Sequence, residues 1–371
     1  MADCDVVIVG AGPSGLLLAC LLAQSSVSVI VFEKGAGRDD RSRAIGIHPP
    51  GLAALRTAGI DDAFRAEARV LSGGTVTSRG RMLAELDFEP GHEVLTVPQA
   101  RTHALLGERL AELAPDAVRT GMRVRDVVPA GATARVLVGR DGREDEISAR
   151  AVVVADGVHS GIRDKLRVPW HRIPGSADYT MLDVVDAPPD DRARLHLEPD
   201  GVVESFPLPG RGRRWVTRER ARALRTTTSF AQTVLARTGL DIGDPGDAEP
   251  QRFRAGQHRA ARLVHGQIVL LGDAAHEISP IGGQGMNLAW IAACRLAVAL
   301  TERSDRDAAL SAYERVSLRA AAVAQRRARF NMAMGAPMPA AARSARDAAV
   351  RILARGGTGR RLLGTMTMSG L

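Results

Sequence analysis

The chain is predicted to be an α/β protein: a parallel-sheet domain, interrupted by a mostly antiparallel β-sheet domain and closed by C-terminal helices. Three observations carry this reading. An apolar run ending in a glycine-rich turn opens the chain, VVIVGAGPSGLLLA (6–19). Two more short apolar runs, AVVVADG (151–157) and IVLLGDAA (268–275), end in the same manner far downstream. Between them lie alternating segments separated by Pro/Gly/Asp turns, the pattern of antiparallel strands.

In chain order, Asp5–Val9 reads as a buried strand, Gly15–Ala23 as a helix and Val27–Phe32 as the next strand, making a βαβ start. Residues 49–70 have helical periodicity, with Leu52, Leu55, Ile60 and Phe64 on one side. Short strands facing the first domain are expected within 72–97. A helix follows at Gln99–Leu113, its apolar stripe running through Leu105, Leu106, Leu110 and Leu113. Val124–Val128, Thr133–Val138 and Glu146–Ala149 read as a meander. Ala151–Ala155 is then a separate, purely apolar strand suited to a sheet covered on both faces.

Proline and glycine cluster at 169–175 and mark a boundary. YTMLDVVD, ARLHLE, VVESFPL and RRWVTRE, between 178 and 218, are antiparallel-strand signals divided by PPDD, PDG and PGRG turns. A helix is expected through 221–238. The return to apolar parallel-strand style at Ile268–Leu271 implies that the intervening unit is an insertion. The division expected is 1–175 for the first part of the nucleotide domain, 176–265 for the inserted domain, and 266–371 for the second part with helices at about 286–300, 307–333 and 341–355.

Composition excludes several classes. The chain has 371 residues, 45% hydrophobic and 25% charged, ordinary values for a globular protein of about two domains. Net charge is +8, but the only lysines are Lys34 and Lys165, and the arginines are spread among acidic neighbours. With 3% aromatic residues, neither a phosphate-binding patch nor a base-stacking platform is indicated, so no nucleic-acid partner is expected. The three cysteines form no CxxC pair, so neither a structural metal nor a disulfide framework is expected. Glycines interrupt the N-terminal apolar stretch; no signal peptide or membrane span is expected, and the compartment inferred is the cytoplasm.

Gly10, Gly12, Pro13, Ser14 and Gly15 lie in a GxGxxG turn between strand and helix, which makes the first domain Rossmann-like. Such a turn admits a pyrophosphate to the helix N-terminus, where free N–H groups and the helix dipole meet its charge. Glu33 ends the second strand, positioned to accept both ribose hydroxyls, and Lys34 follows it. The hexapeptide alone does not separate flavin from nicotinamide; the later segments do. Gly272 and Asp273 sit at a strand end, where a carboxylate is able to take a ribityl hydroxyl. Pro280, Gly282, Gly283 and Gly285 clear space for a ring, and Met286 and Asn287 begin a helix whose N–H groups face charge developing on it. Asp156 and Gly157 close another buried strand; Asp156 either caps the next turn or bridges the two halves of the cofactor.

The ordered set GAGPSG, ADGVHSGIR and GDAAHEISPIGGQGMN resembles the class A flavoprotein monooxygenases, the group of para-hydroxybenzoate hydroxylase and the aromatic-polyketide hydroxylases. The resemblance covers residues 4–300. It implies a Rossmann-like FAD-binding domain with an inserted substrate-binding sheet, and contacts to FAD from Arg43 in RSRAIGIHP and Gln99 in VPQARTHALL. Arg101 stands at a further common position of that segment; His103 departs from the glutamate frequent in relatives. Ser160 and Arg163 fall within the segment linked to both FAD and reduced nicotinamide. The longer relatives' thioredoxin-like domain is not expected within this chain.

The chemistry implied by the resemblance is reduction of FAD by NADH or NADPH, addition of molecular oxygen at flavin C4a, and hydroxylation by the resulting hydroperoxide. The implied substrate is a small aromatic or polyketide-like metabolite of secondary metabolism, such as antibiotic biosynthesis. Epoxidation, Baeyer–Villiger insertion and an FAD-dependent reductase or dehydrogenase are the alternatives. Halogenation is disfavoured because WHRIPG (170–175) is not the tryptophan-rich halogenase segment and no matching lysine exists. A non-catalytic flavin-binding subunit would lack substrate-stimulated nicotinamide oxidation. The groups expected at the reacting centre are Arg43 and Pro280 from the cofactor segments and Tyr179 and His196 from the inserted sheet. Phe206 and Trp215 are further pocket candidates, subject to which strand face points inward. His196 reads equally as an ordinary polar strand residue, and Arg211, Arg213 and Arg214 as a solvated turn.

Overall fold

The computed structural model describes residues 2–35, 45–140, 142–219, 225–280, 283–302 and 304–354. Strand β1 (Cys4–Val9) forms because its apolar run is covered on both faces; Val7 and Ile8 are wholly buried. Helix α1 (Pro13–Gln24) follows, with proline at its start. GLLLACLL is apolar on every side because α1 is wedged within the core. After β2 (Val29–Glu33) and the short β3 (Gly46–Ile47), the expected 49–70 helix is two: α2 (Pro49–Thr57) and α3 (Asp61–Glu67). Gly59, at φ +65°, ends the first in a left-handed turn, yet Leu52, Leu55, Ile60 and Phe64 are all buried as the periodicity implied.

The segment 72–97 divides between two sheets. β4 (Arg69–Leu71) and β7 (Val94–Thr96) flank one another beside β3, in the order β3-β7-β4. β5 (Gly73–Ser78) and β6 (Arg81–Asp87) instead extend the inserted sheet. Helix α4 (Gln99–Leu113) leads to β8 (Val118–Thr120), β9 (Arg123–Ala130) and β10 (Thr133–Arg140). The two strands expected at 146–155 are one, β11 (Arg143–Val154). Its exposed acidic half pairs antiparallel with β10, and its buried AVVV half runs parallel to β1.

Beyond α5 (Gly161–Lys165) and β12 (Trp170–Arg172) comes the antiparallel unit: β13 (Ala177–Val184), β14 (Arg192–His196), β15 (Val203–Pro207) and β16 (Arg213–Arg218). Helix α6 (Thr227–Thr238) is held by a Thr226/Ser229 capping box and stopped by Gly239 at φ +71°. It precedes β17 (Gln251–Ala255), β18 (His258–Ala260), β19 (Val264–His265), β20 (Ile268–Leu270) and β21 (His276–Glu277). The chain closes with α7 (Gln284–Thr301), α8 (Arg306–Met334) and α9 (Ala340–Ala354).

The nucleotide sheet runs β19-β20-β11-β1-β2-β8, with β9 and β10 attached through β11. β20 is parallel to β11, so the chain does return to the first domain after an insertion. The inserted sheet has seven strands, β17-β13-β16-β15-β14-β5-β6, antiparallel except for β14 beside β5.

Register assigns its two faces. Met181, Val216, Glu204, Leu195, Val76 and Ala84 lie in one cross-strand row. That face, which also carries Tyr179 and Phe206, packs on Met332 at the end of α8 and Val350 of α9. The opposite face presents Leu182, Trp215 and Val203 to Phe230 and Val234 of α6. Helix α8 begins in the nucleotide core, where Tyr313 Oη donates to Leu270 O at 2.9 Å, and passes Ile278 and Leu288 on its way to Met332. The face of Tyr179 and Glu204 is therefore the one turned toward the nucleotide domain.

Candidate cofactor and substrate site

The three glycine turns meet at the C-terminal ends of β1, β11 and β20. Ala155 N donates to Val9 O at 2.8 Å and Leu271 N to Val154 O at 2.9 Å, locking the strand ends in step. Gly10 is at φ +105°, and a Cβ there would stand 2.5 Å from Ala155 O; one on Gly15 would stand 2.2 Å from Gly10 O. The turn thus tolerates no side chain at either position. Gly12 is the opposite: nothing lies within 4 Å of its would-be Cβ, and it caps α1 without any side-chain hydrogen bond. Open space before uncapped helix N–H groups is the fit a pyrophosphate requires.

Ser14 lies against Gly272, whose added Cβ would be 2.9 Å from Ser14 Oγ. Trp290 Nε1 donates to Pro13 O at 3.1 Å, tying α7 to the first turn. Glu33 Oε2 accepts from Ala11 N at 3.0 Å and Oε1 from Gly35 N at 2.9 Å, which points its carboxylate at the same turn. Lys34, exposed beside it, lies close enough to lower the pKa of Asp156, although burial dominates and raises it. Asp156 Oδ1 is buried with no partner among the described residues, and Gly157, at φ +89°, has nothing within 4 Å of its Cβ position. A polar atom without a partner beside open space fits the middle of an extended dinucleotide.

Asp273 occupies a single turn, Gly272–Ala274, and is exposed. Pro280 is also exposed; it accepts from Gly283 N at 2.9 Å, forming the turn ahead of α7. Gly283 needs its φ of +64° and closely approaches His48, while Gly285 and the half-buried Met286 continue the wall. Asn287 is wholly buried and its amide is already spent on backbone. Oδ1 accepts from His48 N at 2.9 Å, and Nδ2 donates to Gly46 O at 2.9 Å and Gly283 O at 2.8 Å. Its side chain clips the β3–α2 link to the Pro280–Gly283 turn. Gln99 begins α4, half-buried. Arg101 makes a two-pronged pair with Glu67 of α3, at 2.7 and 2.6 Å. This pair lowers the Glu67 carboxyl pKa below its ordinary value. Arg43 and Gly282 lie outside the described residues.

The substrate-side expectations need correction. Tyr179 and His196 are on opposite faces of the inserted sheet, as are Phe206 and Trp215, because paired neighbours share a face and successive residues do not. Tyr179 is fully buried, stacked on Phe253 at 5.6 Å, with Oη unpartnered; burial pushes its hydroxyl pKa well up. His196 is buried on the α6 face, its Nδ1 2.8 Å from Thr77 Oγ1, and burial lowers its pKa to about 4. It does not join a pocket with Tyr179. Arg213 and Arg214 are not solvated: both are buried. Arg214 pairs bidentately with Asp183 at 2.6 and 2.7 Å. Arg213 reaches Ser205 and Asp190, and burial lowers its pKa to about 10. Arg211 does lie at the surface, paired with Asp186.

The bracing role of Arg163, named from the sequence only as part of its segment, and the residues Gln284 and Glu204 escaped sequence reasoning. Arg163, buried, donates to Val158 O and Ala274 O and sits 3.8 Å over the Trp170 ring, bracing the second glycine segment against the third. Gln284 is wholly buried at the start of α7 with neither amide atom partnered among the described residues. Glu204 lies in the apolar row of the inward sheet face; its only sequence signal is an acid inside VVESFP.

A family model described as an FAD binding domain matches residues 3–330. The chain belongs to the class A FAD-binding monooxygenase family. Within that family it is 33% identical over 299 residues to a 6-methylpretetramide 4-monooxygenase of Streptomyces rimosus, covering 76% of this chain and 53% of that protein. A structure of the OxyS anhydrotetracycline hydroxylase from Streptomyces rimosus matches at TM-score 0.80 and 28% identity, over 99% of this chain and 76% of that one. p-Nitrophenol 4-monooxygenase PnpA from Pseudomonas putida DLL-E4 matches in fold, at TM-score 0.84 and 21% identity over 98% of both chains. The chain spans a little over half the length of the first curated relatives it matches.

Proposed function

We propose that this chain is an FAD-dependent monooxygenase that uses NADH or NADPH and molecular oxygen to hydroxylate a small aromatic or polyketide-like metabolite. The observation that carries the reading is the meeting of three glycine turns beneath the inward face of a separate sheet. FAD would supply the redox chemistry, activating oxygen after reduction by the nicotinamide.

The residues divide that work. Gly10, Gly12, Pro13, Ser14 and Gly15 present backbone N–H groups and the α1 dipole to the pyrophosphate, and Glu33, with Lys34 beside it, takes the adenosine ribose. Asp156 and Gly157 hold the middle of the cofactor; Gly272 and Asp273 hold the ribityl chain. Pro280, Gly283, Gly285 and Met286 wall the ring, and Asn287 holds that wall to the β3–α2 link. The family resemblance adds Arg43, Gln99 and Arg101 as contacts to the cofactor. The inserted sheet roofs the site and excludes water, which preserves electrophilic oxygen from unproductive loss.

The test is to purify the protein, reconstitute it with FAD, and screen aromatic compounds for those that accelerate NADH or NADPH oxidation. Product mass with labelled oxygen should show one incorporated atom. Asp273→Ala should weaken flavin retention about tenfold. A protein that takes up no FAD, or whose nicotinamide oxidation no aromatic compound stimulates, would reject the reading.

A further inference from the structure

We propose that Glu204 is the substrate-facing carboxylate of this site, accepting the O–H of a phenol or enol on the ring that is oxidised. Substrates would then be restricted to those presenting such a hydroxyl. The inference deepens the oxygenase reading above and rests on it.

Glu204 is 6% exposed, at the centre of β15, with Val216 and Leu195 directly opposite on the neighbouring strands. Met181, Val76 and Ala84 continue its row, so its surroundings on the sheet are apolar. Its carboxylate has no hydrogen bond or ion pair among the described residues.

The charged and titratable groups sharing this face are engaged elsewhere. On β16, Arg214 is held by Asp183 of β13, and Arg218 donates to Met332 O of α8 at 2.7 Å. From α9, Arg346 and Asp347 pair with each other at 2.9 Å. Tyr179 shares the face and feels the charge of Glu204, but its Oη makes no hydrogen bond.

A carboxylate in this position serves no packing purpose, since leucine or methionine would fill the row at lower cost. Unsatisfied buried acids are expected where a ligand completes them. Two residues along the same face, Phe206 precedes Pro207, whose carbonyl accepts from Thr96 Oγ1 at 2.6 Å. Thr96 belongs to β7, which pairs with β3, and Gly46 of β3 is clipped to Asn287 beside the Pro280–Gly283 turn. The C-terminal end of β15, just past Glu204, thus borders the strand pair that is clipped to the proposed ring wall.

Burial raises the Glu204 carboxyl pKa to about 7, which suits exchange of a proton with a phenol near neutrality. The substrate O–H bond breaks, its proton passes to Glu204, and the electron pair stays on the ring oxygen. The ring carbons ortho and para to that oxygen become more nucleophilic. The carbon that gains oxygen then loses its hydrogen as a proton to the water formed in the reaction, which restores the aromatic ring. Glu204 returns its own proton to the phenolic oxygen, so no net proton is consumed by the residue.

The experiment uses the FAD-loaded full chain and two probes, 4-nitrophenol and 4-nitroanisole, nearly equal in size but only the first with an O–H. The wild type should prefer the phenol by about tenfold or more, and E204Q should reduce that preference below about threefold. E204D should retain a weakened preference, and flavin retention with thermal melting confirms that each variant is folded. Bound 4-nitrophenol should develop its phenolate colour in two steps in the wild type, the signature of a proton shared with a second acid, and in one step in E204Q. Equal affinity for the two probes in the wild type, or a preference untouched by E204Q, overturns the assignment of Glu204. Loss of the oxygenase reading shows separately, as failure to bind FAD or to oxidise nicotinamide with any aromatic compound.

Discussion

The two faces of the inserted sheet are built from the same strands and differ in which polar groups they leave without partners. On the α6 face, Trp215 Nε1 donates to Ile242 O at 3.0 Å, Arg213 to Ser205 Oγ at 3.0 Å, and His196 contacts Thr77 at 2.8 Å. On the inward face, Glu204 and Tyr179 are just as buried, but their polar atoms find no partner among the described residues. The α6 face leaves only single atoms unmet, His196 Nε2 and Thr217 Oγ1, among the described residues. The inward face leaves a whole carboxylate unmet, which costs stability and makes sense as the lining of a site.

The contrast breaks most readily at Trp215. Trp215→Ala should cost about 3–5 kcal/mol in denaturant-induced unfolding, because it empties the contact with Phe230 and Val234. Activity per folded molecule should change by less than about threefold, since the lost side chain faces away from the cofactor. A large loss of activity without loss of stability would put the site on the α6 face.

Glu204→Gln should act in the reverse sense, stabilising the protein at pH 8 by about 1–3 kcal/mol while removing the phenol preference. The sign follows from its pKa, near 7 in the folded chain against 4.5 for the ordinary group. The folded state favours the protonated form, so stability is fully present below pH 4.5, declines as pH rises through 7, and stays low above. The variant should lose that decline. Equal slopes for wild type and variant between pH 4.5 and 7 would show that Glu204 ionises freely.

The acid side belongs to the histidines. His196 and His276, both lowered by burial to about 4 from 6.5, favour the neutral ring in the folded chain. Stability should therefore fall as pH drops from 6.5 to 4 and level off below. His196→Gln should shallow this limb, as measured by melting temperature against pH. The smallest expected effect is that of the same variant on turnover, a change in kcat/KM below about threefold. A bell-shaped rate profile that loses its acid limb in His196→Gln would restore His196 to the reacting centre.

Much of the fold was legible because its determinants are local. Gly10 and Gly15 are imposed by backbone approaching backbone, and the three apolar runs by burial on both sides of a parallel sheet, as in Val152–Val154. The helix at Gln99–Leu113 follows from its own stripe. Less visible was the fate of polar side chains whose partners are distant in the chain. Asn287 reads as a ring contact until Gly46 and His48, some 240 residues away, are seen to consume its amide. The arginines at 213 and 214 look solvated until Asp190 and Asp183 close on them.

Glycine spacing and apolar runs were sufficient to foretell a split nucleotide domain with an inserted sheet, since steric limits on the backbone and strand burial act within a few residues. Alternation along β13 to β16 likewise separated two sets of side chains, but a period of two has no preferred sign. Which set turns toward the nucleotide domain was decided by α6 covering one side and α8 reaching the other. So was the recruitment of β5 and β6 to the same sheet, because strand pairing is a contact between distant segments and leaves no trace in either one alone.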